Sequence, residues 1–111
     1  MTVKELSEKM ELTVLCGETD REFTGVYAGD LLSWVMSRLT EDKVWVTIMS
    51  NLNVIAVASL ADAACVILAE GVEPDTDALD AAKSKGITLL SSGLDTYSIC
   101  VEISGLTEAK S

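Results

Sequence analysis

The sequence predicts an α/β fold: a small three-layer domain with a mostly parallel five-stranded sheet and helices on both faces. Three observations predict it. Short apolar runs alternate with amphipathic stretches along the chain. Residues 44–69 and 65–90 each read strand, helix, strand with short connections, the pattern of right-handed parallel crossovers. The runs Val44 to Met49 and Cys65 to Ala69 are almost unbroken in apolar character, as strands covered on both faces are.

Each element has a local reason. Thr2 and Glu5 have capping-box spacing, and Val3, Leu6 and Met10 supply the apolar stripe of a first helix. Leu12 to Cys16 reads as a strand, Gly17 to Thr24 as a polar connection, and Gly25 to Gly29 as a second short strand. Asp30 is a good N-cap for a helix through Leu39, with Leu31, Leu32, Val35, Met36 and Leu39 inward. After the third strand, Ser50, Asn51 and Asn53 offer caps for a helix through about Asp62. Glu70 to Asp75 is a loop around Pro74, and Asp75 or Thr76 caps the next helix. That helix ends at Lys83-Ser84-Lys85-Gly86, where lysines suit the negative end of the helix dipole and glycine suits a left-handed cap. Ile87 to Leu90 is a fifth strand and Asp95 to Gly105 a last helix. Residues 1–106 therefore read as a single domain and 107–111 as a frayed tail. No helix separates the first two strands, so their relative direction stays open.

Composition narrows function. Eighteen acidic against eight basic residues give a net charge of -10. That balance disfavours nucleic acid and anionic membrane surfaces as partners, since both are bound through Lys and Arg. Its plain role is solubility. Aromatic residues are few (Phe23, Tyr27, Trp34, Trp45, Tyr97), so the core is expected to be aliphatic and Ala-rich. Histidine is absent, which removes the commonest general base and metal ligand. Cys16, Cys65 and Cys100 are widely spaced, form no CxxC, and read as reduced thiols of a cytoplasmic protein. The opening residues are polar rather than an apolar leader, and the run Val54 to Leu60 is far shorter than the ~20 residues that span a bilayer. Neither GxxxxGK[ST] nor GxGxxG occurs, and no Ser, Thr or Cys has an evident base partner. No metal, cofactor or catalytic constellation is assigned.

In parallel α/β sheets the ligand crevice lies beyond the carboxyl ends of the strands. Those ends fall at Gly29-Asp30, Ser50-Asn51, Glu70-Gly71 and Ser91-Ser92. Asp30 and Glu70 could hold a cation or a ribose hydroxyl. Ser50 and Asn51 precede a helix whose first amides could take a phosphate. The competing structural reading makes Asp30, Asn51 or Asn53, and Asp75 ordinary helix caps. Arg21 is the sole basic residue between Lys9 and Arg38. It reads either as an anion contact or, the favoured reading, as an ion pair with Asp20 or Glu22 that pins the loop. Gly25 and Gly29 read as backbone geometry or close packing. The candidate ligand set is Asp20, Arg21, Gly25, Gly29, Asp30, Ser50, Asn51, Glu70 and Gly71. The helix Val54 to Ala61 is apolar nearly all round, which suits either a homodimer face or tight packing between the sheet and neighbouring helices.

The segment Asp20-Arg21-Glu22-Phe23-Thr24-Gly25, with Gly29-Asp30, Asn53-Val54-Ile55-Ala56-Val57-Ala58 and Ala69-Glu70-Gly71, resembles the DRTGG domain family. The Asp-Arg and a later Gly of the motif are kept, and its middle is altered. The resemblance runs from Thr2 to about Gly105. It implies a regulatory rather than catalytic unit. Related domains accompany phosphotransacetylases and lie between CBS domains in some pyrophosphatases, where they help form dimers. The fold is also similar to the N-terminal domain of HPr kinase/phosphorylase, although the phosphate loop that kinase activity needs has no counterpart here. The expectation is thus a non-catalytic, homodimeric regulatory module that binds a small metabolite or nucleotide at the carboxyl ends of the strands. The alternative is a pure interaction module that docks on a partner enzyme and takes no small ligand.

Overall fold

A computed structural model describes residues 1–108. The elements, in chain order, are α1 (Val3–Lys9), β1 (Thr13–Cys16), β2 (Gly25–Ala28), α2 (Leu32–Arg38), β3 (Lys43–Thr47), α3 (Leu52–Ala61), β4 (Cys65–Leu68), α4 (Thr76–Lys85), β5 (Leu89–Ser91) and α5 (Thr96–Glu108). The α/β class is as expected, and so is the capping box: Thr2 Oγ1 accepts from Glu5 N at 3.1 Å, while Glu5 Oε1 accepts from Thr2 N at 3.0 Å. Asn51 caps α3 by accepting from Asn53 N. Asp30 is not the cap of α2. That helix starts at Leu32 behind Leu31, which makes no side-chain cap. Asp75 likewise occupies the N-cap position of α4 without a capping hydrogen bond. The last helix runs to Glu108, beyond the expected stop at Gly105, so residues 107 and 108 are helical; 109–111 lie outside the described residues.

The strand order is β1-β5-β4-β3-β2. β2, β3, β4 and β5 are parallel, and β1 joins β5 antiparallel, so the sheet is mixed at one edge. This settles the direction the sequence left open. β1 and β2, joined only by residues 17–24, lie on opposite edges of the sheet. The connection must therefore cross four strand spacings, about 19 Å, within the reach of eight extended residues.

The three crossovers β2-α2-β3, β3-α3-β4 and β4-α4-β5 all step in the same direction across the sheet. Connections of one hand that step one way put their helices on one face. Accordingly α2, α3 and α4 pack Val35, Leu39, Val54, Ile55, Val57, Ala58, Ala78 and Ala82 against Trp45, Val66, Leu68 and Leu89. The other face is closed by the two terminal helices. Val3 and Leu6 of α1 and Ile99 and Ile103 of α5 pack against Val44, Val46, Cys65, Ile67 and Leu90. Apolar runs in β3 and β4 thus follow from burial on both sides. Trp45 is fully buried, and its indole N–H donates to Gly29 O at 3.0 Å.

Candidate functional site

The structure divides the candidate residues between two opposite edges. Gly29, Asp30, Ser50, Asn51, Glu70 and Gly71 lie at the carboxyl ends of β2, β3 and β4. Asp20, Arg21 and Gly25 lie at the amino edge, away from that rim, because the 17–24 connection runs past the starts of the parallel strands.

At the carboxyl rim the loops are tied to one another in strand order. Asp30 Oδ1 accepts from Thr47 Oγ1 at 2.7 Å and from Ile48 N at 2.9 Å, fixing the end of β2 to the end of β3. This is why Asp30 does not cap α2: its carboxylate is spent sideways on the neighbouring strand. Thr47 is wholly buried and relays the link by accepting from Met49 N. Ser50 O accepts from Asp75 N at 3.0 Å, and Ser50 Oγ donates to Asp75 Oδ1 at 3.3 Å. Glu70 N donates to Leu94 O, and Gly71 N to Ser92 O, both at 2.8 Å. Glu70 and Gly71 both have positive φ, 60° and 69°, a conformation that strains the glutamate and suits the glycine. Asp95 accepts from the side chain and backbone of Ser98, and these bonds lower its pKa below the ordinary carboxylate value.

The amino edge is built around Arg21. Its Nε and Nη2 donate to Asp42 Oδ1 at 2.9 and 2.6 Å, and Nη1 donates to Asp62 Oδ1 at 3.0 Å. Nη2 also donates to Asp62 O at 2.7 Å, and Nη1 to Ala63 O at 3.3 Å. The expected ion pair therefore exists, but with Asp42 and Asp62, not with Asp20 or Glu22. Burial pulls the guanidinium's pKa down, and the bonds to Asp62 and Asp42 outweigh it, leaving a net rise. α3 has no basic residue in its last turn, so Arg21 supplies from outside the cation that a helix carboxyl end favours. The rest of the connection is fastened too. Thr88 Oγ1 donates to Glu18 O, Thr24 N donates to Asp42 O, and the first amides of α1, Val3 N and Lys4 N, donate to Arg21 O and Thr19 O. Those amides have no partner within the helix, and the connection satisfies them. Every nitrogen of the Arg21 guanidinium has an acceptor within this fastening, which leaves an anion contact without support.

Sequence reasoning missed Asp42 and Asp62. The signal was faint but physical: each is an aspartate just before an apolar strand, and both adopt positive φ, which Asp tolerates better than most residues. It also missed Thr47, whose mark was a single hydroxyl ending the apolar run of β3.

Among the described residues no group of three or more His, Cys, Asp or Glu could hold a metal ion, and no helix is long and apolar enough to cross a membrane. Burial favours the protonated form of the thiols. Burial pushes Cys65 up to about 12, with Arg21 pulling slightly the other way, and burial also raises Cys16 and Cys100. All three stay protonated at neutral pH. A recess of about 440 Å³ lies beside β2 and α5, lined by Met1, Phe23, Val26, Cys100, Ile103 and Ser104 among others. A second, of about 320 Å³, lies at the amino edge around Arg21, Asp62 and Lys85. A third, of about 390 Å³, touches the end of β5 at Ser92, Gly93 and Leu94. None of these three reaches Asp30, Asn51 or Glu70.

The chain thus presents a small α/β domain with a braced amino edge and an exposed, polar carboxyl rim. It belongs to the DRTGG domain family, whose model matches residues 5–106. It is also similar in structure to the CBS and DRTGG domains of the regulatory region of Clostridium perfringens pyrophosphatase, solved with the activator diadenosine tetraphosphate. The TM-score is 0.68 at 10% identity, covering 88% of this chain and 44% of that one, a likeness of fold. This chain therefore spans less than half the length of that neighbour. No curated protein sequence matches it.

Proposed function

We propose that this DRTGG domain is a non-catalytic regulatory module whose working face is the carboxyl rim, where it takes a small metabolite or nucleotide. The observation that carries the reading is the bracing of the rim: Asp30 held by Thr47 and Ile48, and Ser50 held by Asp75, converge from separate loops. Acceptors fixed in advance are what a ligand's hydroxyl or amino groups need. The neighbouring pyrophosphatase region, crystallised with a nucleotide activator, supports the ligand class. Calorimetry with AMP, ATP, diadenosine tetraphosphate and phosphorylated metabolites tests it. Heat that disappears in Asp30→Ala and Asn51→Ala, with both variants folded, is the expected result. An empty panel, or heat untouched by both substitutions, removes the small ligand.

A second reading, docking on a partner enzyme, has its own observation. The parallel strands never reverse their order of addition, and ligand crevices in open sheets form where that order reverses. The rim also exposes Leu31, Ile48 and Leu52.

The module is proposed to pair with itself. The sequence left α3 open between a pairing face and internal packing: Val54, Ile55, Val57 and Ala58 are buried, while Leu52 and Leu60, 45% and 77% exposed, form its outer side. α5 offers the face proposed here, because it adds an aromatic side chain: Tyr97 and Val101, 76% and 49% exposed, lie one turn apart beside Cys100 and Ser104. Light scattering should give a dimer at tens of micromolar that Tyr97→Asp shifts toward monomer; a monomeric parent protein would end this part.

A further inference from the structure

The carboxyl rim joins two properties that a phosphorylated small molecule does not need together. First, its four loops, 29–31, 48–51, 70–75 and 92–95, carry Asp30, Glu70, Glu73, Asp75 and Asp95 and no Lys or Arg. Arg21, Lys43 and Lys85 all lie at the opposite edge. Lys9 approaches the rim only in the recess beside Ser92, where Glu11 and Glu102 accompany it. Second, exposed aliphatic side chains run between the acids: Leu31, 62% exposed, Ile48, 43%, Leu94, 38%, and Leu52 at the start of α3. Asp30, next to Leu31 in the chain, accepts from the backbone N–H of Ile48, which ties together the two loops that carry these side chains.

We infer that the rim docks a basic amphipathic segment of a partner protein, whose Lys or Arg face the five carboxylates while its apolar side chains cover Leu31, Ile48 and Leu52. The inference rests on the reading of the carboxyl rim as the working face and develops its docking alternative, in which a protein segment takes the place proposed above for a nucleotide. Charge complementarity selects the partner. A polyphosphate would meet like charge on three of the four loops, whereas a cationic segment is steered in and a rival acidic one is turned away. Apolar contact then holds what the charges attract, since exposed ion pairs alone contribute little.

The experiment uses a fluorescein-labelled synthetic helix of Leu and Lys, a Leu and Glu counterpart, and a Lys and Ser peptide with no apolar residue. Anisotropy titration of the whole chain should show saturable binding of the Leu and Lys peptide only, weakening as salt rises from 50 to about 200 mM. Ile48→Ser and Glu73→Lys should each weaken it by about fivefold or more, and Asp80→Lys, the same charge change on the outer side of α4, by less than about twofold. The inference is overturned if Asp80→Lys weakens binding as much as Glu73→Lys, if the Leu and Glu peptide binds equally, or if nothing saturates. These outcomes are separable from the nucleotide panel. Heat lost in Asp30→Ala with no peptide binding keeps the rim and discards the basic partner; silence in both discards the rim as well.

Discussion

The two edges of this sheet use charged residues in opposite ways. At the amino edge every charge on Arg21 is answered inside the molecule, by Asp42, Asp62 and the carbonyls that end α3. At the carboxyl edge the acids brace their own loops yet remain exposed, and no base lies among them. The difference separates the segment that resembles the family's name-giving motif, which fastens the fold, from the rim proposed above as the working face. In this chain Asp20 to Gly25 is the strap that carries the backbone from one side of the sheet to the other. A strap across four spacings has no regular hydrogen-bond partners of its own, and it leaves the amino ends of three strands uncovered unless something binds them. Arg21 does so because one planar fork can reach two carboxylates and two carbonyls at once.

The sharpest way to break this contrast is at Gly17, where the strap leaves β1. Its φ is +95°, and a Cβ there would sit 2.4 Å from Thr88 Cα, a backbone atom that cannot swing aside. Gly17→Ala should cost about 2–4 kcal/mol, read as a fall in the urea midpoint. A cost under ~1 kcal/mol would mean that the strap tolerates displacement and is no fixed fastening.

Next comes Arg21→Met, which keeps the aliphatic stem and removes the fork. Asp42 and Asp62 are partly exposed, at 41% and 66% of their side chains, so water replaces much of what is lost. After that discount the expected loss is about 1–2 kcal/mol, in thermal or urea unfolding, with binding at the carboxyl rim unchanged. Full stability with ligand or peptide binding abolished would put the working face on the amino edge instead.

How much of this was legible in the sequence differs between the edges for a physical reason. Periodicity and capping are local, so the capping box at Thr2, the cap at Asn51 and the left-handed end at Gly86 could be read from neighbouring residues. So could the convergence of Gly29, Asn51 and Glu70, since parallel strands fix which ends meet. Arg21 could not. Its partners stand 21 and 41 residues away, and nothing local distinguishes Asp42 or Asp62 from Asp20 or Glu22. The cap reading of Asp30 failed in the same way: an aspartate before a helix suits a cap, and only tertiary pairing with Thr47 decides that it braces β3 instead.

Gly25 supplies the smallest effect and the most discriminating comparison. It is the motif's final glycine, so a functional reading of the motif makes it indispensable. Its surroundings say otherwise. Its backbone is not in the left-handed region, unlike those of Gly17, Gly71 and Gly86. A Cβ there would meet Lys43 Nζ at 3.0 Å and Cδ at 3.2 Å, both on a flexible side chain that can move outward. The bond that movement sacrifices, Lys43 Nζ to Thr24 Oγ1 at 3.3 Å, is exposed. An alanine would also suit a strand better than glycine does. Gly25→Ala should therefore shift stability by about 0.5 kcal/mol or less, in either direction. Two glycines on one edge, one unreplaceable and one indifferent, are what a fastening predicts, because sterics alone rank them. If Gly25→Ala leaves the fold intact yet abolishes binding of every rim ligand, the motif reports a site after all, and the division of labour between the two edges fails.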